Sequence, residues 1–88
     1  MEAYPVPFRV DRSRSPRLRL VNTGDERLRG VTVTLRGPGL LAISPIRTVE
    51  PQGSLSVRVR GDRLERDSSL IVRWLRPDDS EYLWRVVF

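Results

Sequence analysis

The chain contains no cysteine and no histidine. Without cysteine, neither a disulfide nor a thiolate ligand can stabilise the fold. Without histidine, the sequence also lacks the most common ligand of zinc and copper and the usual general base at neutral pH. We therefore expect no metal site and no cofactor, and a fold held by apolar burial and backbone pairing.

The remaining polar residues form no catalytic pattern. No serine or cysteine nucleophile can pair with a histidine, and no glycine-rich phosphate loop occurs. Asp78, Asp79 and Glu81 lie together at a predicted hairpin tip but are too few for a dedicated calcium site. Glu81 is expected to pair with Arg76 across that hairpin. The sequence predicts a protein that is not an enzyme.

Lysine is also missing, so all 16 basic residues are arginine and the net charge is +5. Arginine binds phosphate and carboxylate better than lysine does, which favours recognition of an anion. Codon bias in a G+C-rich genome is the alternative explanation and the one we favour, because the arginines are spread along the chain rather than clustered.

The length of 88 residues is enough for one domain, which we place at residues 1–88. Met1–Pro5 has neither the basic start nor the apolar segment of a signal peptide, and no apolar run approaches the ~20 residues of a membrane span. We expect a cytoplasmic protein if the chain is full length, and an extracellular one if it is excised from a longer exported protein.

Apolar and polar residues alternate with a period of two over most of the chain. Leu18 and Leu20, for example, alternate with Arg17 and Arg19, as in a strand with one buried face. Residues 63–69 make at most a single helical turn. We predict seven strands, at about residues 6–11, 17–21, 31–36, 40–43, 55–60, 70–76 and 81–88.

Seven short strands separated by turn-forming residues are typical of an all-β antiparallel sandwich of the immunoglobulin or fibronectin type III class. Asn22–Asp25, Gly37–Gly39 and Pro77–Ser80 supply three of the turns. Ser44-Pro45 suggests a sheet edge after the fourth strand. A small closed barrel is the alternative fold.

The segment Leu20–Asp25, followed by Leu28, Gly30 and Val31–Leu35, resembles bacterial and archaeal immunoglobulin-like accessory modules. The family named cell-adhesion-related domain found in bacteria is one that these residues resemble. The likeness continues through Gly39-Leu40 and Pro51–Ser54. It implies an immunoglobulin-like fold without catalytic residues, in a spacer or in a protein- or carbohydrate-binding unit of a longer exported protein.

The last two predicted strands carry both tryptophans. If Leu70, Val72 and Trp74 face inward together with the aromatic residues of the last strand, the rings form one core layer. The opposite face is then unusually apolar for a solvated sheet. We interpret it as a protein interface, with coverage by residues 4–8 as the alternative. The interface residues are Ile71, Arg73, Leu75, Leu83, Arg85 and Val87.

A second surface follows if the second and fifth predicted strands are neighbours. Arg17, Arg19, Arg58 and Arg60 then share one outer face and could bind an anion. No aromatic residues alternate with them, which argues against recognition of single-stranded nucleic acid.

Three functions remain open from the sequence. We favour a non-catalytic protein–protein interaction or structural module, whose partner is another chain or a second copy of itself. The first alternative is binding of a polyanion, either nucleic acid or an acidic protein, through the arginine face; nucleic acid is the less favoured partner. The second alternative is a spacer domain of a larger exported protein.

Overall fold

The computed structural model describes residues 4–14, 17–42 and 46–88. Their regular secondary structure consists of eight strands and one helical turn. One helical turn, α1 (Leu64–Asp67), lies in the predicted segment and has no buried residue. The strands are β1 (Phe8–Arg14), β2 (Arg17–Asn22), β3 (Leu28–Arg36), β4 (Leu40–Ala42), β5 (Arg47–Val49), β6 (Ser54–Arg60), β7 (Ser69–Leu75) and β8 (Glu81–Val87).

Two antiparallel sheets pack face to face and confirm the predicted all-β sandwich, as opposed to a closed barrel. The first sheet has the strand order β1-β2-β6-β4 and the second has the order β5-β3-β7-β8. Every strand pair is antiparallel. Within the described residues, no helix is long and apolar enough to cross a membrane.

The core lies between the two sheets and follows the predicted alternation. On β6, Leu55, Val57 and Val59 are buried, whereas the serines and arginines between them are exposed. On β7, Leu70, Val72 and Trp74 are buried in the same manner. The two-residue period therefore assigns the inner and outer faces correctly, because successive strand side chains point to opposite sides.

The prediction of seven strands was wrong, since the described residues form eight. The missed strand is β5 (Arg47–Val49), which pairs with β3 at the edge of the second sheet. Three residues are too few to show an alternating pattern. The predicted fourth strand is observed over Leu40–Ala42, while Ile43 and the Ser44-Pro45 edge fall outside the described residues.

The first strand is displaced from its predicted position. It begins at Phe8 and runs to Arg14, whereas the sequence predicted residues 6–11. Pro7 lacks a backbone N–H, which favours a start after it. The register of β1 against β2 shifts between Asp11 and Arg14, so the strand continues past an irregularity that alternation does not reveal.

Asn22 is a fully buried polar residue that ties the two sheets together. Its side-chain amide donates hydrogen bonds to the carbonyl oxygens of Glu26, at 2.8 Å, and of Val49 in β5, at 3.1 Å. Its side-chain oxygen accepts from the Gly24 N–H at 2.9 Å. The Asn-Thr-Gly turn predicted from sequence is therefore held by a buried side chain whose polar atoms are all paired.

Candidate functional site

The six residues predicted as an interface lie on the outer face of the β7–β8 hairpin, which we call the hairpin face (Ile71, Arg73, Leu75, Leu83, Arg85 and Val87). Leu83 is 58% exposed and Val87 is 59% exposed. Ile71 and Leu75 are half-buried, and the two arginines are exposed. Among the described residues, Leu83 and Val87 thus belong to the few large apolar side chains that are left largely in water.

The N-terminal segment does not cover the hairpin face, so that alternative was wrong. Tyr4 packs instead on the inward side of the hairpin, with its ring centroid 4.6 Å from that of Tyr82. Phe8 is buried between the sheets and makes an edge contact with Trp74 at 5.3 Å. Aromatic attraction therefore holds the segment on the core side.

The inner side of the hairpin carries the predicted aromatic layer. Trp74 is 1% exposed and stacks on Tyr82, with ring centroids 6.1 Å apart. Phe8 also stacks on Trp84, at 6.4 Å with the rings nearly parallel. Tyr82, Trp84 and Phe88 pack against the core but are only half-buried. The rings thus form the edge of the core as well as part of its centre.

Strand β8 lies at the edge of the second sheet, and no strand in the described part of the chain pairs with its outer side. In the hairpin, the Arg76 N–H donates to the Ser80 carbonyl at 2.9 Å. Bonding to the partner strand alternates along an antiparallel pair, so the residues that point their backbone groups away from β7 are Glu81, Leu83, Arg85 and Val87. The Val87 carbonyl agrees with this register, because it accepts a hydrogen bond of 2.7 Å from the Arg12 guanidinium.

The polar residues of the hairpin face are partly engaged within the chain. Arg73 forms an ion pair with Glu81 at 3.3 Å, and the Arg85 Nε donates to the Ser69 hydroxyl at 3.3 Å. A cavity of about 450 Å³ adjoins Ile71 and Val87 at the end near α1. The hairpin face therefore combines an apolar centre with a charged rim.

The predicted arginine face exists, because β2 and β6 are neighbours. Arg17 lies directly opposite Arg58, and Arg19 lies opposite Ser56. Arg19, however, is neutralised by an ion pair with Asp11 at 3.1 Å. Hydrogen bonds from Ser13, and then the charge of Arg19, lower the pKa of the Asp11 carboxyl. Arg19 is thus engaged in a local ion pair that the sequence did not predict.

Arg14, which the sequence analysis did not single out, takes a place beside the other arginines. It lies opposite Arg17 in the β1–β2 pairing, so Arg14, Arg17 and Arg58 stand in register across three adjacent strands. Arg60 follows two residues along β6. These four residues line a groove of about 270 Å³, and we call them the arginine row.

The arginine row has no acidic partner within the described part of the chain. The ion pairs formed there involve Arg19, Arg27, Arg29, Arg73 and Arg76 instead. All four members of the row are exposed. Like charges placed directly opposite each other on neighbouring strands repel, so the row is an uncompensated concentration of positive charge.

A further cluster of side chains surrounds Arg76, and the partner predicted for Arg76 from the sequence was wrong. Arg76 does not pair with Glu81 but forms a two-point ion pair with Glu26, with both N–O distances 3.0 Å. Its guanidinium carbon also lies 4.0 Å from the centroid of the Tyr4 ring. The hydrogen bonds to Glu26 raise the pKa of the Arg76 guanidinium. This cluster closes one end of the sandwich and is structural.

The acidic tip of the hairpin is engaged in local contacts. Asp79 forms an ion pair with Arg29, and Asp78 accepts a hydrogen bond of 3.0 Å from the Ser80 N–H. The hydrogen bonds from Ser80 lower the pKa of the Asp78 carboxyl. Across residues 4–14, 17–42 and 46–88, no three histidine, cysteine or carboxylate side chains come together as a group that could hold a metal ion.

Comparison with known proteins identified no relative of the chain. A scan against protein-family models, a search of the curated proteins and a search of the solved structures found no match to the chain. The resemblance to bacterial immunoglobulin-like modules therefore stays a prediction from the sequence.

Proposed function

We propose that the chain is a non-catalytic protein–protein interaction module that binds its partner through the hairpin face. The observation that carries this proposal is the exposure of Leu83, at 58%, and of Val87, at 59%, on a strand with an open edge. Exposed aliphatic groups next to unpaired backbone N–H and C=O groups are the features by which edge strands add a further strand.

We also propose an immunoglobulin-like topology for the sandwich. If the strands that make up the two sheets are lettered in chain order with β5 set aside, β1, β2, β6 and β4 take the positions A, B, E and D. Strands β3, β7 and β8 take the positions C, F and G. This arrangement has the order of a constant-type immunoglobulin domain, and β5 adds an extra edge strand beside C.

The partner that fits the edge of β8 is a second copy of the chain. Two β8 strands related by a twofold axis pair antiparallel, and they must match residues whose backbone groups face the open edge. Centring the pair on Leu83 sets Leu83 against its copy and Glu81 against Arg85 of the other molecule. Centring it on Arg85 would oppose two arginines. The charge pattern of the strand therefore favours the Leu83 register.

A charge exchange tests this register. We expect Glu81→Arg and Arg85→Glu each to weaken dimerisation, because each places like charges in contact twice per dimer. The double variant should restore dimerisation. Glu50→Arg is the matched control, since Glu50 is exposed, follows β5 at the opposite edge of the second sheet and, like Glu81, has one surface ion pair. Sedimentation velocity over a wide concentration range provides the measurement, and circular dichroism checks that each variant is folded.

Two leucine substitutions, one on each sheet, test the apolar centre of the hairpin face. Leu83→Ser should abolish the dimer, whereas Leu40→Ser should leave it intact, because Leu40 is 73% exposed on the other sheet. A wild-type chain that stays monomeric at all concentrations overturns the proposal of self-association. Equal weakening by the Leu83 and Leu40 substitutions, or no rescue in the double charge variant, overturns the proposed register.

A further inference from the structure

We infer that the arginine row binds the phosphate backbone of duplex nucleic acid without regard to sequence. This inference is independent of the hairpin face, since the row lies on the outer side of the first sheet and the hairpin on that of the second. It requires that Arg14, Arg17, Arg58 and Arg60 act together on one polyanionic ligand.

The four side chains of the arginine row lie close together on the first sheet. Arg14, Arg17 and Arg58 are paired in register across β1, β2 and β6. Neighbouring strands lie about 4.8 Å apart, so the three backbone positions span roughly 10 Å across the sheet. Arg60 extends the charge along β6, and the four side chains are the lining of a groove of about 270 Å³. The ligand therefore meets a short, dense array of guanidinium groups.

Acidic side chains of the described residues do not neutralise the positive charge of the arginine row. Asp11 lines an adjoining groove with Arg14 and Arg17, but its carboxylate is held by Arg19 and by the Ser13 N–H. Within the described residues, no acidic side chain lies within ion-pair distance of the four arginines. A ligand with closely spaced negative charges relieves the repulsion inside the row, and each guanidinium can donate two hydrogen bonds to one phosphate.

The surroundings of the row favour duplex over the other polyanions. Among the described residues, the aromatic side chains lie at the other side of the first sheet, in the core and its edge, so no ring is present to stack on unpaired bases. Leu40 is the one largely exposed apolar side chain that the structure describes beside Arg60, which is little for insertion into a lipid surface. Duplex nucleic acid carries one negative charge per about 1.7 Å of its axis, a density that suits closely spaced guanidinium groups.

The test is fluorescence anisotropy with a labelled duplex of about 20 base pairs, titrated with the whole chain. Four phosphate contacts predict that the dissociation constant rises about a hundredfold between about 50 mM and 200 mM salt. Replacing two contacts in Arg17→Ser/Arg58→Ser should reduce this rise to about tenfold and weaken binding at low salt by at least about tenfold.

The matched control removes the same charge elsewhere. Arg36→Ser/Arg66→Ser changes two exposed arginines that lie beside the α1 cavity. This variant should bind the duplex within about twofold of wild type and keep the wild-type salt dependence. An equal loss in both double variants would show that net charge alone attracts the duplex, and it would overturn the inference.

Titrations with two other polyanions test whether the arginine row prefers duplex nucleic acid. Polyglutamate and phosphatidylserine vesicles are titrated under the same conditions with wild type and the Arg17→Ser/Arg58→Ser variant. We expect both to bind more weakly than the duplex. Tighter binding of either one that depends on the arginine row, or the absence of duplex binding at low salt, contradicts the assignment to nucleic acid. Both results leave the self-association of β8 unaffected, because that is measured without any polyanion.

Discussion

The two outer faces of the sandwich differ in a way that their inner faces do not. Both sheets bury alternate aliphatic residues against each other. On the outside, the first sheet presents the uncompensated arginine row, while the second presents Leu83 and Val87 with arginines that have partners in the chain. A sheet face that only has to be solvated needs neither concentrated charge nor exposed aliphatic groups.

The difference shows that the scaffold and the candidate functions occupy different positions of the same strands. On β6, the buried positions are Leu55, Val57 and Val59, and the neighbouring positions carry Arg58 and Arg60. On β7 and β8 the same alternation separates Trp74 and Val86 from Leu83 and Val87. Substitutions can therefore be chosen that affect the fold, one face, or the other face alone.

The largest effect is expected from a residue on which both faces depend. Trp74→Ala removes a side chain that is 1% exposed and contacts Phe8 and Tyr82. We expect a loss of about 3–5 kcal/mol in the free energy of unfolding, out of a total of about 5–15 kcal/mol for a domain. Urea unfolding measures this loss.

Dimerisation and duplex binding should both decline in the same variant as the unfolded fraction grows. Trp84→Ala is the control, and it should cost less because Trp84 is only half-buried. Equal stability of the Trp74 variant and wild type would contradict a core shared by the two faces.

A smaller loss in the free energy of unfolding is expected from a substitution of Asn22, the buried polar residue that joins the two sheets. Asn22→Ala leaves the carbonyl groups of Glu26 and Val49 and the N–H of Gly24 without their partner. Each buried polar group left unpaired costs about 1–3 kcal/mol, so we expect a total of about 2–4 kcal/mol because water reaches part of the site. Thermal unfolding measures the change, with Thr23→Ala, at an exposed neighbour, as control. A loss no greater than that of the control would contradict this role of Asn22.

The smallest changes in the free energy of unfolding are expected from single substitutions on the two outer faces, and these changes differ between the faces. Arg17→Thr removes the repulsion from Arg14 and Arg58, so the free energy of unfolding should rise by about 0.2–1 kcal/mol at low salt. The gain should shrink as salt screens the remaining charges. Leu83→Thr, on the hairpin face, should change monomer stability by no more than about 0.5 kcal/mol. Destabilisation by Arg17→Thr would show that the row is compensated within the chain.

Much of the scaffold could be predicted from the sequence because strand alternation is a local property. The inward set Leu70, Val72 and Trp74 and the outward set Leu83, Arg85 and Val87 follow from a period of two alone. The pairing of β2 with β6 required an assumed sandwich topology, and the structure confirms it. The class of fold, the hairpin face and three of the four members of the arginine row could therefore be predicted from the sequence.

The parts that could not be predicted depend on contacts between residues distant in sequence. Arg76 and Glu26 are 50 residues apart, and nothing local distinguishes Glu26 from Glu81 as the partner. Arg14 joins the arginine row only because the register shifts within β1. Strand β5 gains its place from pairing with β3 rather than from a pattern of its own three residues.

The central claim is that two copies of the chain pair through the open edge of β8, and amide hydrogen exchange tests it most directly. The amides of Leu83 and Arg85 point away from β7, and no strand among the described residues pairs with them. The account predicts that both exchange rapidly in dilute protein and become protected as concentration rises, while the Trp84 amide is protected throughout. Rapid exchange of Leu83 and Arg85 at every concentration would contradict it.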